Sequence, residues 1–250
     1  MRLDVVVSEK FLLTRNKAQA LIRDGLVFVD RIILIKPSHD ISWTEMIELK
    51  EEKKVHWVSR SAGKLDGFLE ELRMRNYELR ILGTNCLDVG SSTWGFTQVL
   101  LEHGAKHVDA VDVGTDQLHP ILRNDKRVMS FEQTDIREFK STHSYDNIVC
   151  DASFISLKEI LPSILALAGG TTKIILLWKP QFEVGRENLR KTGVPKDENH
   201  VQKVQREWEI FLESHNCKIL QKMKSSVIGE AGNQEWLYLI EKIDSFFSDI

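Results

Sequence analysis

Residues 88–96 read Asp88-Val89-Gly90-Ser91-Ser92-Thr93-Trp94-Gly95-Phe96 and continue the apolar run Cys86–Val89. A short apolar strand, a Gly/Ser turn, and then Phe96, Val99 and Leu100 at helical spacing make a strand–turn–helix. In an open α/β sheet, ligands bind at the carboxyl ends of strands, where glycine lets backbone and ligand approach closely. A dinucleotide fingerprint needs G-x-G-x-x-G, and Ser92 replaces its second glycine. A Walker phosphate loop needs Gly-Lys-Ser/Thr, and here Phe96 follows Gly95. What remains, D-x-G-x-x-x-x-G, suits either a nucleoside-sulfonium methyl donor or a tight structural turn.

The same alternation extends in both directions. Upstream, Ser59 or Ser61 caps a helix with Leu65, Phe68, Leu69 and Leu72 on one face. Downstream come strands at His107–Val111, Arg127–Phe131, Asn147–Cys150 and Ile174–Trp178. A helix over Leu157–Leu167 ends at Gly169-Gly170, and a long helix covers roughly 198–215. Two strands follow, near 218–222 and 236–240. Strands alternating with helices predict a mostly parallel sheet covered on both faces.

Residues 1–50 read differently. Leu3, Val6, Val7 and Phe11 suggest one short helix; a second starts after Thr14 and ends at Gly25. A hairpin follows, Leu26–Val29 and Ile32–Ile35 around Asp30-Arg31. Lys50–Lys54 (KEEKK) reads as a solvated linker. The expected domains are thus 1–58 and 59–250.

Composition narrows the class. The 250 residues are 42% hydrophobic and 28% charged, with 14 Gly and 5 Pro, which describes a globular chain with a substantial core. Net charge is −3, divided as +2 over residues 1–60 and −5 over the rest, so a polyanion contact belongs most naturally at the N-terminal end. Cys86, Cys150 and Cys217 have neither disulfide-framework nor zinc spacing and read as reduced core residues, as in the cytoplasm. No metal is expected. The opening Met1-Arg2-Leu3-Asp4 lacks a signal-peptide pattern, and Ile174–Trp178 is far too short for a membrane span.

Several charged residues stand where strands end. Asp112, about 20 residues beyond the Gly turn, is placed to accept ribose hydroxyls, and Asp135 to meet an adenine amino group. Asp151 and Lys179 end parallel strands; Glu235 opens the last one, which a closing hairpin makes antiparallel; Lys64 lies on the helix before the first. Two lysines and two carboxylates on one sheet edge suit proton removal from a sugar hydroxyl held against a methyl donor.

Arg2-Leu3-Asp4, Thr14–Ile22, Ser59-Arg60, Lys64-Leu65 and Asp88–Thr93 resemble the TlyA family, an S4 RNA-binding domain fused to an FtsJ-like methyltransferase. So do Val111–Gly114, Asp151–Leu157 (DASFISL), Lys179–Glu183 (KPQFE), Gly185–Glu187 and Gly232–Glu235. The resemblance spans nearly the whole chain. It implies a Rossmann-like α/β domain with a seven-stranded, mostly parallel sheet whose last hairpin strand is antiparallel, behind a small α+β S4 domain. It implies S-adenosylmethionine-dependent 2′-O-methylation of ribose, with cytidines in ribosomal RNA of the ribosomal subunits as substrate. The family's catalytic tetrad maps onto Lys64, Asp151, Lys179 and Glu235, with Lys179 as proton acceptor. Cofactor contacts map to Asp88, Gly90, Ser91, Ser92, Thr93, Gly95, Asp112 and Asp135. Arg15 and Lys17, at the start of the second helix, are the leading RNA contacts, followed by Arg2, Arg23 and Lys36.

Two positions depart from the family. Trp94 replaces a usual glycine, so its ring either crowds the donor or points outward to stack on an RNA base; a positive φ there costs about 1 kcal/mol or more. Ser61-Ala62 replaces Gly-Gly before Lys64. A non-catalytic RNA-binding protein and a membrane-active haemolysin are the rival expectations.

Overall fold

The computed structural model describes residues 1–11, 13–23, 26–30, 32–42, 46–49, 57–115, 120–229 and 231–243. Gly25, Arg31 and Lys50–Lys54 lie outside them. The chain divides into two compact units, Met1–His56 and Trp57–Ile250.

In the first unit, α1 (Leu3–Lys10) and α2 (Arg15–Arg23) precede β1 (Val27–Val29), β2 (Ile32–Ile33) and β3 (Ile47–Leu49). Thr14 caps α2 through its Oγ1, which accepts the Lys17 N–H at 3.3 Å. β1 pairs antiparallel with β2, as the hairpin reading predicts, and also with β3, which that reading lacks. Leu3, Val6, Val7, Ala18, Ile22, Val27, Val29, Ile41 and Ile47 form the core.

The second unit runs α3 (Arg60–Met74), β4 (Asn85–Val89), α4 (Gly95–Glu102), β5 (His107–Val111), α5 (Pro120–Arg123), β6 (Val128–Phe131) and β7 (Tyr145–Cys150). It continues through α6 (Leu157–Leu167), β8 (Ala168–Trp178), α7 (Pro180–Glu183), α8 (Glu198–Ser214), β9 (Cys217–Lys224) and β10 (Trp236–Lys242). Its seven strands lie in the order β6-β5-β4-β7-β8-β10-β9; β10 is antiparallel to both neighbours and the other pairs are parallel. Alternation along β8 explains the layering. Ile174, Leu176 and Trp178 face α6 and α8, while Ile175 and Leu177 face α3 and α4. β8 begins six residues earlier than the apolar run suggests. Gly169 and Gly170 lie inside it, where Thr172 Oγ1 accepts the Gly169 N–H and donates to the Tyr145 carbonyl.

The strand order reverses at β4, so the crevice between the ends of β4 and β7 is the topological switch point where such sheets bind ligands. Among the described residues no helix is long and apolar enough to cross a membrane.

Candidate functional site

A cavity of about 490 Å³ opens at that switch point, lined by Gly90, Ser92, Asp112, Val113, Asp135 and Phe154 among others. Gly90 (φ +75°) lets the turn approach the backbone after β7, because a Cβ there would stand 2.8 Å from Ala152 Cα and 2.9 Å from Ala152 N. Asp112 accepts the Ser92 N–H at 2.8 Å and the Gly114 N–H at 2.7 Å, one on each oxygen, which fixes its carboxylate against the cavity. Asp135 is held by Arg137, whose guanidinium keeps the carboxyl below its ordinary range.

Asp88 is fully buried beneath the turn. Thr97 Oγ1 donates to its Oδ2 at 2.6 Å, and its Oδ1 has no hydrogen-bond partner. Burial, reinforced by the charges of Asp151 and Asp112, pushes the carboxyl up to about 7. Of the turn residues, Gly90 and Ser92 line the cavity. Asp88, Ser91, Thr93 and Gly95 do not. Gly95 instead meets the start of α3, where a Cβ would stand 2.2 Å from Ser59 Oγ and Ser61 Oγ. Trp94 does adopt a left-handed backbone (φ +68°), but its ring takes neither of the expected courses. It is 3% exposed and sits in the α3–α4 core with Ala62, Leu65 and Phe96. Apolar burial wins over both alternatives.

Beside the cavity, two ion pairs meet. Lys179 Nζ lies 2.7 Å from Asp151 Oδ1 and 2.7 Å from Ser153 Oγ, and donates to the Asp151 carbonyl at 3.2 Å. Lys64 Nζ donates to Glu235 Oε2 at 2.6 Å, and Gln181 Nε2 to Glu235 Oε1 at 3.1 Å. Burial pushes the Asp151 carboxyl up, with Lys179 and then Lys64 opposing it, so charges from both pairs act on this carboxylate. Lys179 and Glu235 are buried at 6% and 2% exposure. Antiparallel β10 brings Glu235 to the edge where β7 and β8 end. KPQFE and SFISL are also tied together: Glu183 accepts the Ser156 hydroxyl at 2.6 Å and the Leu157 N–H at 2.9 Å, satisfying the start of α6.

The FtsJ-like methyltransferase family matches residues 57–242, and the S4 domain family matches residues 1–44. The Campylobacter jejuni 23S rRNA (cytidine-2′-O)-methyltransferase TlyA is 39% identical, over 95% of this chain and 98% of that protein. The chain belongs to the TlyA family. The 16S/23S rRNA (cytidine-2′-O)-methyltransferase TlyA of Mycobacterium tuberculosis is 41% identical, over 74% of this chain and 68% of that one. A solved Streptococcus thermophilus structure carrying a hemolysin name is 34% identical, covers 98% of this chain and 89% of that chain, and has a TM-score of 0.70. TlyA membership makes this chain an S-adenosylmethionine-dependent methyltransferase with an S4 domain. The cavity fits that cofactor: its size is within the range of small-molecule sites, Asp112 stands at the β5 end, and Gly90 lets the turn along its wall pass close against the Ala152 backbone.

Within this TlyA chain the S4 candidates separate. Arg2 pairs with buried Asp4 through Nε and Nη2, both at 3.0 Å, and Arg15 Nε reaches it at 3.2 Å. These guanidiniums, with Gln19, hold the Asp4 carboxyl far below its ordinary range and tie α1 to α2. Lys17, Arg23 and Lys36 are exposed and make no ion pair among the described residues.

Phe154 is a site residue that sequence reasoning passed over. It is 92% exposed with φ +66°, lines the cavity, and has its ring 5.2 Å from that of Phe182, over which Lys179 Nζ sits at 5.8 Å. An exposed phenylalanine in the left-handed region carries about 1–3 kcal/mol of strain. The sequence signal was a pair of large apolar residues, Phe154-Ile155, in one strand-to-helix loop, of which only Ile155 packs against the core.

Proposed function

We propose that this protein transfers a methyl group from S-adenosylmethionine to a ribose 2′-hydroxyl of ribosomal RNA, on a cytidine, within ribosomal subunits in the cytoplasm. The convergence of the Lys179–Asp151 and Lys64–Glu235 pairs beside the cavity carries this reading. Gly90, Ser92, Asp112 and Asp135 hold the cofactor, with Asp88 setting the turn from below. When bound, the cofactor supplies an electrophilic methyl group.

Lys179 accepts the hydroxyl proton at Nζ. Asp151 and Ser153 fix the direction of that nitrogen, and Ser153 Oγ, exposed on the cavity wall, marks where a hydroxyl comes to stand 2.7 Å from it. A lysine serving as base works from its neutral form. Glu235, clamped by Lys64 and Gln181, positions substrate. Phe154 and Phe182 offer an aromatic face to a base taken out of its stack. Lys17, Arg23 and Lys36 meet RNA phosphates, while Arg2 and Arg15 share their charge with Asp4.

The test is transfer of labelled methyl to purified, unmodified ribosomal subunits. Label should appear in ribose and fall about 10²–10⁴-fold in Lys179→Ala. Undiminished transfer in that variant, or label confined to bases, refutes the assignment.

A further inference from the structure

Methyl transfer leaves one cluster of chemically capable side chains unused. His107 opens β5, and Asp112 follows its far end, so His107 stands about 16 Å and Asp109 about 10 Å along the strand from Asp112 at the cofactor cavity. His107 Nε2 is 2.7 Å from Asp109 Oδ1 and His143 Nδ1 is 3.1 Å from Asp109 Oδ2. It is the one group of three such ligands found among the described residues, its donor atoms all within 4.8 Å of one another. Asp109 is 1% exposed. Tyr145, on β7, reaches past β4 to donate its hydroxyl to Asp109 Oδ2 at 2.5 Å, and Ser141 Oγ lies 2.7 Å from that hydroxyl.

We infer that His107, Asp109 and His143 form a binding site for a borderline divalent cation, Zn²⁺ foremost, with a fourth position open to water. Two imidazole nitrogens and one carboxylate oxygen are a zinc donor set, and three protein ligands leave room for a water. Tyr145 supplies what ligating carboxylates need, a hydrogen bond that fixes their orientation. Ligation needs the ring nitrogens that face Asp109 free of protons, which the neutral tautomer protonated on the opposite nitrogen supplies, and the side chains are 22% and 42% exposed. Donors around tetrahedral zinc stand roughly 3.4 Å apart, so the widest pair closes by at most about 1.4 Å. His143, half-exposed before β7, is free to make that movement. Thiols offer no competition: Cys86, Cys150 and Cys217 are buried, and burial pushes them up to about 11, about 12 and about 11. A cation here would fasten the segment before β7 to the start of β5.

The experiment uses the untagged, chelator-treated full chain, titrated with Zn²⁺ by calorimetry and with Co²⁺ by visible absorption. One ion per chain is expected, with the intense bands of tetrahedral cobalt. Tyr145→Phe, which keeps the buried ring, should weaken binding about 10–100-fold, and His143→Ala should weaken it further. Thermal unfolding of the metal-free proteins checks that each variant folds. Equal Zn²⁺ affinity in wild type and a folded His143→Ala overturns the site, as does no binding at all, which leaves only a hydrogen-bonded clasp.

Discussion

Replacing Trp94 with glycine tests how a residue in a costly conformation is kept there. The left-handed backbone costs an L-residue about 1–2 kcal/mol, which glycine recovers. Against this stands the ring, 3% exposed among Ala62, Leu65 and Phe96; truncating a buried tryptophan costs about 3–5 kcal/mol. Glycine's looser unfolded chain adds roughly 0.5–1 kcal/mol more. The net expectation is a loss of about 1.5–5 kcal/mol, which lowers a urea midpoint followed by far-ultraviolet circular dichroism by about 1–2.5 M. Cofactor affinity in the folded variant should stay within a few-fold of wild type, because the ring does not line the cavity. An unchanged or raised midpoint would refute the packing argument. A ten-fold gain in cofactor affinity would instead place the ring against the donor.

Asp88 titrates against the usual trend for a carboxylate. Its ordinary value is near 3.8, and the fold raises it to about 7, so between those values the native state keeps a proton the unfolded state has released. Its contribution therefore falls as pH rises through that window, by roughly 4 kcal/mol at most, and Asp88→Asn should flatten the decline measured by urea unfolding at pH 5 and pH 8. Identical slopes would show that the carboxyl is not held neutral. Gly90→Ala forces a Cβ onto the Ala152 backbone at positive φ; it should cost about 1–3 kcal/mol and weaken S-adenosylmethionine binding more than ten-fold by displacing the turn, and calorimetry showing full affinity would sink the close-approach argument. In the S4 unit, the Lys17→Ala, Arg23→Ala and Lys36→Ala triple variant should weaken RNA binding while sparing the cofactor. Its log–log salt slope should drop by about 0.7–0.9 for each phosphate no longer neutralised, and an unchanged slope would remove these residues from the interface.

Where sequence and structure part, local rules met a longer-range competitor. Alternating helix and strand patterns suffice for the large sheet, because each strand reads as a short apolar run ending in a charged residue: Asp112, Asp151, Lys179. The gathering of Lys64 and Glu235 onto that edge is equally legible once β10 is antiparallel. β8 is harder to delimit, because Gly169-Gly170 imitates a helix stop while Thr172 pins it into the sheet. β3 has only three residues, too few for a strand pattern to show; its pairing with β1 supplies its identity. Arg2 and Arg15 look free in sequence, and only the folded unit reveals Asp4 buried between them. Trp94 obeys its hydrophobicity and not its backbone preference, whereas Phe154 does neither.

Inserting β10 between β8 and β9 has a consequence for how the molecule comes into being. Lys64 and its partner Glu235 are 171 positions apart, so this pair closes only after nearly all of the described chain has been synthesised. Until then Ile174–Trp178, an apolar strand buried in the finished sheet, has an unpaired edge where β10 will sit. A nascent chain stalled before residue 235 is thus both unable to assemble its site and prone to capture a neighbour's strand. Closure of the Lys64–Glu235 pair and protection from aggregation arrive together, with the same late segment.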